Sequence, residues 1–257
     1  MRQISDGSGK ADLSLPDGQR VFHVHTWRCG HAALCPDKDY VQKAVHLGAR
    51  EIWFTDHAPF PGDLFGGRML VRQLPEYLKS MRALAEEFRG VIRVIPGLET
   101  EYLPGMDEWY GELKDAGLVL LLGQHMYACP DGTMNFRLPE ARRRAEEADG
   151  IADALAAGIA SGHFFAAAHP DRAFRHRPVW TKEEDRLSRI ILKAAREARI
   201  PVEDNLSCHR SGQFRPEFWH LAGEYGARTV CGLDAHSPEE VIRWTGTEYS
   251  ERKKETI

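Results

Sequence analysis

Nine side chains that can bind a metal ion are spread along this chain: His23, His25, His31, His57, Glu99, His125, His169, Asp234 and His236. Most follow short apolar runs. The steps from His25 to His57, Glu99, His125, His169, Asn205 and Asp234 run from 26 to 44 residues, the length of a strand plus a helix. One histidine alone would be read as a surface or hydrogen-bonded core residue. Donors at six of seven strand ends point instead to a shared metal centre. Neutral imidazoles supply affinity, and carboxylates offset cationic charge and can bridge two ions. Nine donors exceed the coordination of a single ion and fit two or three, with Glu99 placed to bridge. In His23-Val24-His25 the alternation of a strand points both imidazoles to one side and predicts Phe22 and Val24 on the other, toward the helices. His31, in Cys29-Gly30-His31, lies in the loop after the first strand. Asp234-x-His236 closes the last strand.

The elements that must position these residues are legible as alternating patterns. Strands are predicted over 20–25, 51–55, 92–98, 118–123, 164–168, 201–205 and 228–232, several as continuous apolar runs suited to parallel strands covered on both faces. Helical spacing appears over 37–47, 74–88, 141–160 and 183–198. Thr181 followed by Glu184 fits a capping box, and Gly48, Gly90 and Gly117 stand where helices should stop. Strand and helix alternating seven times imply a parallel α/β fold. With no polar linker in the middle, a single closed barrel is favoured over an open sheet. Strand ends then open on one face, where active sites of such barrels lie. The expected organisation is a flexible extension over 1–18, the barrel domain over 19–248 and a flexible tail over 249–257.

Composition narrows the function classes. The chain has 257 residues, with 34 Lys and Arg against 38 Asp and Glu, so there is no basic excess to argue for nucleic-acid binding. No apolar run approaches the length of a membrane span. Five scattered cysteines do not form a disulfide framework, and the N-terminus lacks the apolar core of a secretory signal, so a cytoplasmic protein is expected. No glycine-rich phosphate loop follows the first strand, which argues against a nucleotide-binding fold. Of the remaining histidines, His46, His163 and His220 are read as packing or surface residues, while His176 and His209 fall in loops on the active side.

The motifs His23-Val24-His25-Thr26, Cys29-Gly30-His31-Ala32, Thr55-Asp56-His57, Gly97-Leu98-Glu99, Gly123-Gln124-His125, His169-Pro170-Asp171 and Asp234-Ala235-His236 together resemble the polymerase and histidinol phosphatase (PHP) superfamily, and more narrowly its histidinol-phosphatase branch. They occur in family order and span residues 22 to 237. The resemblance implies a distorted (β/α)7, TIM-like barrel with a trinuclear centre. His23, His25, Glu99 and Asp234 would hold one ion. Glu99, His125 and His169 would hold a second, and His31, His57 and His236 a third. Where the family usually has an Asp before the first His, this chain has Phe22. Glu101 is a rival to Glu99, since both fall on the same strand face.

The chemistry implied is hydrolysis of a phosphate monoester, with a metal-activated hydroxide attacking phosphorus and a third ion neutralising phosphoryl charge. Arg68, Arg172, Arg177 and Arg210, in predicted mouth loops, are candidates for phosphate contact. Asp171 and His209 are the two candidates for protonating the leaving alcohol. The resemblance points to L-histidinol phosphate as substrate, in histidine biosynthesis, with Glu101, Asp204 and Trp27 as candidates to receive its amine. Zinc, iron and manganese all suit the donors. Alternatives are another phosphoesterase or amidohydrolase-like hydrolase on the same scaffold, or a non-catalytic metal-binding module. Oligomeric state is not readable from the sequence.

Overall fold

The structure is a computed structural model that describes Leu13 and residues 15–246. The expected tail over 249–257, and residues 1–12 and 14 of the expected N-terminal extension, lie outside the described residues. Seven parallel strands appear in chain order: β1 (Arg20–Val24), β2 (Glu51–His57), β3 (Arg93–Thr100), β4 (Val119–Leu122), β5 (Ala166–Ala167), β6 (Val202–Asn205) and β7 (Thr229–Gly232). They neighbour one another in that same order. Closure between the first and last comes just beyond β7. There Leu233 N–H donates to Phe22 O at 2.9 Å, and His25 N–H to Ala235 O at 2.8 Å.

Helices α1 (Asp37–His46), α2 (Leu74–Glu87), α3 (Asp107–Asp115), α4 (Glu140–Ser161), α5 (Lys182–Ala198), α6 (Leu206–Arg210) and α7 (Pro216–Glu224) alternate with the strands. Four of them match the helical runs read from the sequence to within a residue or two. Gly117 marks the stop of α3, as read from the sequence, but no helical spacing marks its span: Tyr110 and Leu113 are its only buried residues, too few to make an apolar stripe. The Thr181 capping box at the start of α5 is present. The Thr181 hydroxyl accepts from Glu183 N–H at 3.1 Å, and Glu184 Oε2 accepts from Thr181 N–H at 2.8 Å. Thr181→Ala is expected to cost about 1 kcal/mol. A lowered thermal midpoint would register this, and an unchanged one would show the cap to be redundant.

Apolar side chains form two layers. The larger lies between strands and helices and includes Val24, Ile52, Phe54, Leu98, Leu120 and Leu122. The smaller fills the barrel interior, with Phe22, Trp53, Leu121, Ala166, Ala168 and Val230. Phe22 therefore points inward, which corrects the expectation from simple alternation. Three residue steps on β1, from Val21 to Val24, face only two on β2, from Ile52 to Phe54. This bulge, with His23 at φ 68°, turns both Phe22 and His23 toward the axis. Phe22 plugs the barrel, with Trp53 and Phe165 edge-on against it, and His23 stands above it.

Candidate metal centre

Above that plug, side chains from five other strand ends gather around the Glu99 carboxylate of β3, which is 1% exposed. His169 Nε2 lies 2.8 Å and His125 Nε2 3.4 Å from Glu99 Oε1. On the other oxygen, Oε2, His57 Nδ1 lies at 3.0 Å, and the Nε2 atoms of His23 and His25 both lie at 3.5 Å. The pairing of β2 with β3 sets His57 directly beside Glu99. Gly123, at the end of β4, makes room: a Cβ there would come within 1.9 Å of Glu99 Oε1. Asp234, at φ 53°, brings Oδ1 to 3.2 Å from His25 Nε2 and 3.7 Å from His23 Nε2.

The electrostatics of this cluster are unusual for a protein interior. Burial pushes the carboxyl of Glu99 up, but the surrounding imidazoles, led by His57 and His23, outweigh it and hold it well below the usual range. Asp234 is likewise held low by His23 and His25 against its burial. Burial drives His125 down to about 4, and burial together with His57 takes His25 well below its ordinary value. His23 and His57 go the other way: burial pulls both rings down, but the carboxylates facing them, Glu203 and Glu99, outweigh it and raise both, so a metal ion binding there displaces protons.

Polar atoms in this cluster lack protein partners. His23 Nε2, both ring nitrogens of His25, and Glu99 Oε2 are buried without a hydrogen bond. Such atoms cost free energy unless something else satisfies them. His31 and His236 make the same point more sharply. Each has its Nδ1 on a backbone carbonyl: His31 on Cys29 O at 3.0 Å and His236 on Asp234 O at 2.9 Å. A carbonyl only accepts, so each neutral ring carries its proton on Nδ1 and leaves Nε2 as a bare lone pair. Those two Nε2 atoms face each other at 3.0 Å. Two facing lone pairs repel unless a proton or a metal ion is shared between them. His23, His25 and Asp234, and separately His25, His57 and His236, have donor atoms close enough to ligate one ion. The donor set fits divalent metals.

The remaining sequence candidates divide. Arg172 reaches the cluster: its Nη1 lies 3.6 Å from Asp234 Oδ2, and its Nε donates to Gln213 Oε1 at 2.9 Å. Asp171 is buried beside His169, with its Oδ2 accepting from Arg215 N–H and Trp219 Nε1–H, both at 3.0 Å. Burial raises its carboxyl to about 6. Arg177 is not brought to the cluster; it joins α4 to α5 through Asp149 and Glu184. Arg210 is exposed. His209 stacks on Phe214, and its Nε2 bonds Oδ1 of Asp204, one candidate for the substrate amine, at 2.7 Å. Another, Trp27, has the Arg28 guanidinium 4.8 Å from its ring.

Arg68 and Glu101 are engaged with each other. The Arg68 Nη1 and Nη2 atoms donate to the two oxygens of Glu101 at 2.8 and 2.9 Å, with both side chains buried. The guanidinium also stands 4.0 Å from the Phe65 ring. Arg68→Met would strand a buried carboxylate and is expected to destabilise the fold by about 3–5 kcal/mol, with Arg68→Met/Glu101→Met recovering most of it. Unfolding midpoints decide this; an unaltered single variant would show that the pair is not a structural unit.

Two positioning residues were not singled out from the sequence. Asp56 accepts from Thr26 N–H at 2.8 Å and Thr26 Oγ1–H at 2.7 Å, fixing the turn after His25. Glu203 bonds His23 Nδ1 at 2.7 Å. The available signal for Glu203 was its period-two spacing to Asn205 on the same strand face.

Comparison with known proteins adds the following. Residues 22–205 match the PHP domain. The chain is 32% identical over 238 residues to a Deinococcus radiodurans protein named "probable histidinol-phosphatase", covering 85% of this chain and 86% of that one. A crystal structure of a Listeria monocytogenes protein, provisionally called a histidinol phosphatase, superposes with TM-score 0.67 at 18% identity, covering 87% of this chain and 97% of that one. A Lactococcus lactis histidinol phosphate phosphatase, solved with zinc, L-histidinol and phosphate, superposes with TM-score 0.64 at 20% identity, covering 85% and 86%. At those identities the two structures establish a shared fold.

Proposed function

The chain belongs to the PHP domain family, and on that premise we propose that it is a metal-dependent phosphomonoesterase hydrolysing L-histidinol phosphate to L-histidinol and phosphate. The observation that carries this reading is the gathering of imidazoles and a carboxylate from five other strand ends around Glu99, with buried donor atoms left unpartnered. The named activity of the Deinococcus relative, over most of both chains, supports the substrate.

His23, His25, Glu99 and Asp234 would hold one divalent ion, Glu99 with His125 and His169 a second, and His31, His57 and His236 a third. Bound there, zinc, iron or manganese would activate water as a nucleophile and neutralise phosphoryl charge. The chain's own residues supply the rest. Glu99 places both oxygens among five imidazoles, so it is the group able to span two ions. Arg172, steadied through Nε by Gln213, presents its remaining N–H groups beside Asp234, where they can orient a phosphoryl group. Arg68 holds Glu101 as a fixed wall beside His57. Phe22, Trp53 and Leu121 close the barrel floor beneath the cluster and keep bulk water from reaching it from below. A small phosphorylated substrate in the cytoplasm suits this reading, and all five cysteines are free, as a reducing compartment requires. No described helix is long and apolar enough to cross a membrane.

The test is phosphate release from L-histidinol phosphate before and after metal is stripped and zinc or manganese restored. Activity is expected to vanish and return. Release that persists in protein shown by metal analysis to be stripped would overturn the proposal.

A further inference from the structure

We infer that Glu203 is a positioning residue for the metal centre, one buried carboxylate that sets both the ring of His23 and the backbone of His169. The inference rests on the metal-centre reading above. Glu203 lies on β6 with no solvent exposure. Its Oε1 is 2.7 Å from His23 Nδ1. Its Oε2 accepts from His169 N–H at 3.1 Å and from Asn205 Nδ2–H at 3.0 Å. Three donors from β1, the end of β5 and β6 thus meet at one side chain. Only a group that accepts at both oxygens satisfies all three. A glutamine would turn an N–H against at least one of them.

The consequence for His23 is a fixed tautomer. In the neutral ring, with the proton on Nδ1 toward Glu203, Nε2 is left as a lone pair facing Glu99 Oε2 at 3.5 Å and Asp234 Oδ1 at 3.7 Å. For His169 the effect is on the backbone. It sits at φ 28°, a conformation side chains avoid, and the bond from its N–H to Glu203 holds it there with Nε2 on Glu99. Two donors assigned to different ions are therefore aimed by the same carboxylate. The fold reserves space for it: a Cβ on Gly232 of β7 would fall 1.6 Å from Glu203 Oε1. Outer partners of metal-binding histidines typically account for 10- to 100-fold in metal affinity.

The test compares the parent chain with Glu203→Gln, using zinc alone as the probe in competition with a chromogenic chelator. Zinc affinity is expected to fall about 10- to 100-fold in the variant, while the metal-free variant keeps the far-UV circular dichroism of the parent. Zinc binding within twofold of the parent would overturn the inference. A second measurement needs no variant: long-range 1H–15N NMR of the metal-free parent, under alkaline conditions, reads which ring nitrogen of His23 carries the proton. A proton on Nδ1 is expected, and a proton on Nε2 overturns the inference even if Glu203→Gln fails to fold. A parent that binds no zinc removes the metal reading itself. That failure is distinct from a parent that binds tightly and a variant that matches it.

Discussion

Glu99→Gln is expected to lower kcat for phosphate release from L-histidinol phosphate by about a thousandfold, roughly 4 kcal/mol of transition-state stabilisation. The reason is geometric. Five imidazole nitrogens lie within 2.8 to 3.5 Å of the two Glu99 oxygens. A glutamine preserves the shape, and Gly123 still gives it room, but it removes the negative charge and places an N–H against ring nitrogens that must stay free. The substitution should also reduce the number of ions bound, which metal analysis reads alongside kcat. If glutamine at this position left kcat within tenfold of the parent, the bridging role of Glu99 would be wrong.

Removing metal is expected to have the second large effect, on stability. Buried ring nitrogens and a carboxylate oxygen without partners represent desolvation that the folded protein bears only in part when metal-free. Ions that bind the native state alone stabilise it by about 4 kcal/mol at a thousandfold excess over Kd. For a chain of this size that corresponds to a thermal midpoint about 8–16 °C higher with metal than without. Calorimetry of stripped and zinc-loaded protein measures the difference. In the metal-free form the His125 contribution to stability should fall with pH, opposed by His23 and His57, which the carboxylates Glu203 and Glu99 raise against burial. Burial, outweighing the pull of Glu99, keeps His125 neutral down to about 4 when folded, whereas the unfolded side chain takes up a proton near its ordinary value of 6.5. That contribution is present above 6.5 and lost as pH falls from there toward 4. A midpoint indifferent to zinc would indicate that the cluster is satisfied without ions.

Much of the barrel could be read from the chain because parallel strands covered on both faces announce themselves as unbroken apolar runs, as Val119–Leu122 does. β5 is shorter than its apolar run: paired register covers only Ala166 and Ala167, although Phe165 N–H already donates to Leu120 O at 3.1 Å. The candidate donors stand out in the sequence because all but His31, which lies in the loop after β1, fall at or just past a strand end. Phe22 was misjudged because period two assumes an unbroken ladder, and the bulge at His23 is a property of the pairing with β2 rather than of local sequence. The arginines show a different limit. Arg172 and Arg177 are five residues apart and alike in sequence. What distinguishes them is whether Gln213 and Asp234, or Asp149 and Glu184, happen to lie within reach. Glu203 went unnoticed for the same reason, its partner His23 being 180 residues away.

Hydrolysis of L-histidinol phosphate at this metal centre is the central proposal. Its most direct test is kcat/KM for L-histidinol phosphate against a panel of other monoesters, measured on zinc- or manganese-loaded protein. Preference for L-histidinol phosphate by about a hundredfold or more, some 3 kcal/mol in transition-state binding, is the predicted result. Equal turnover across the panel, or none with L-histidinol phosphate, would contradict it.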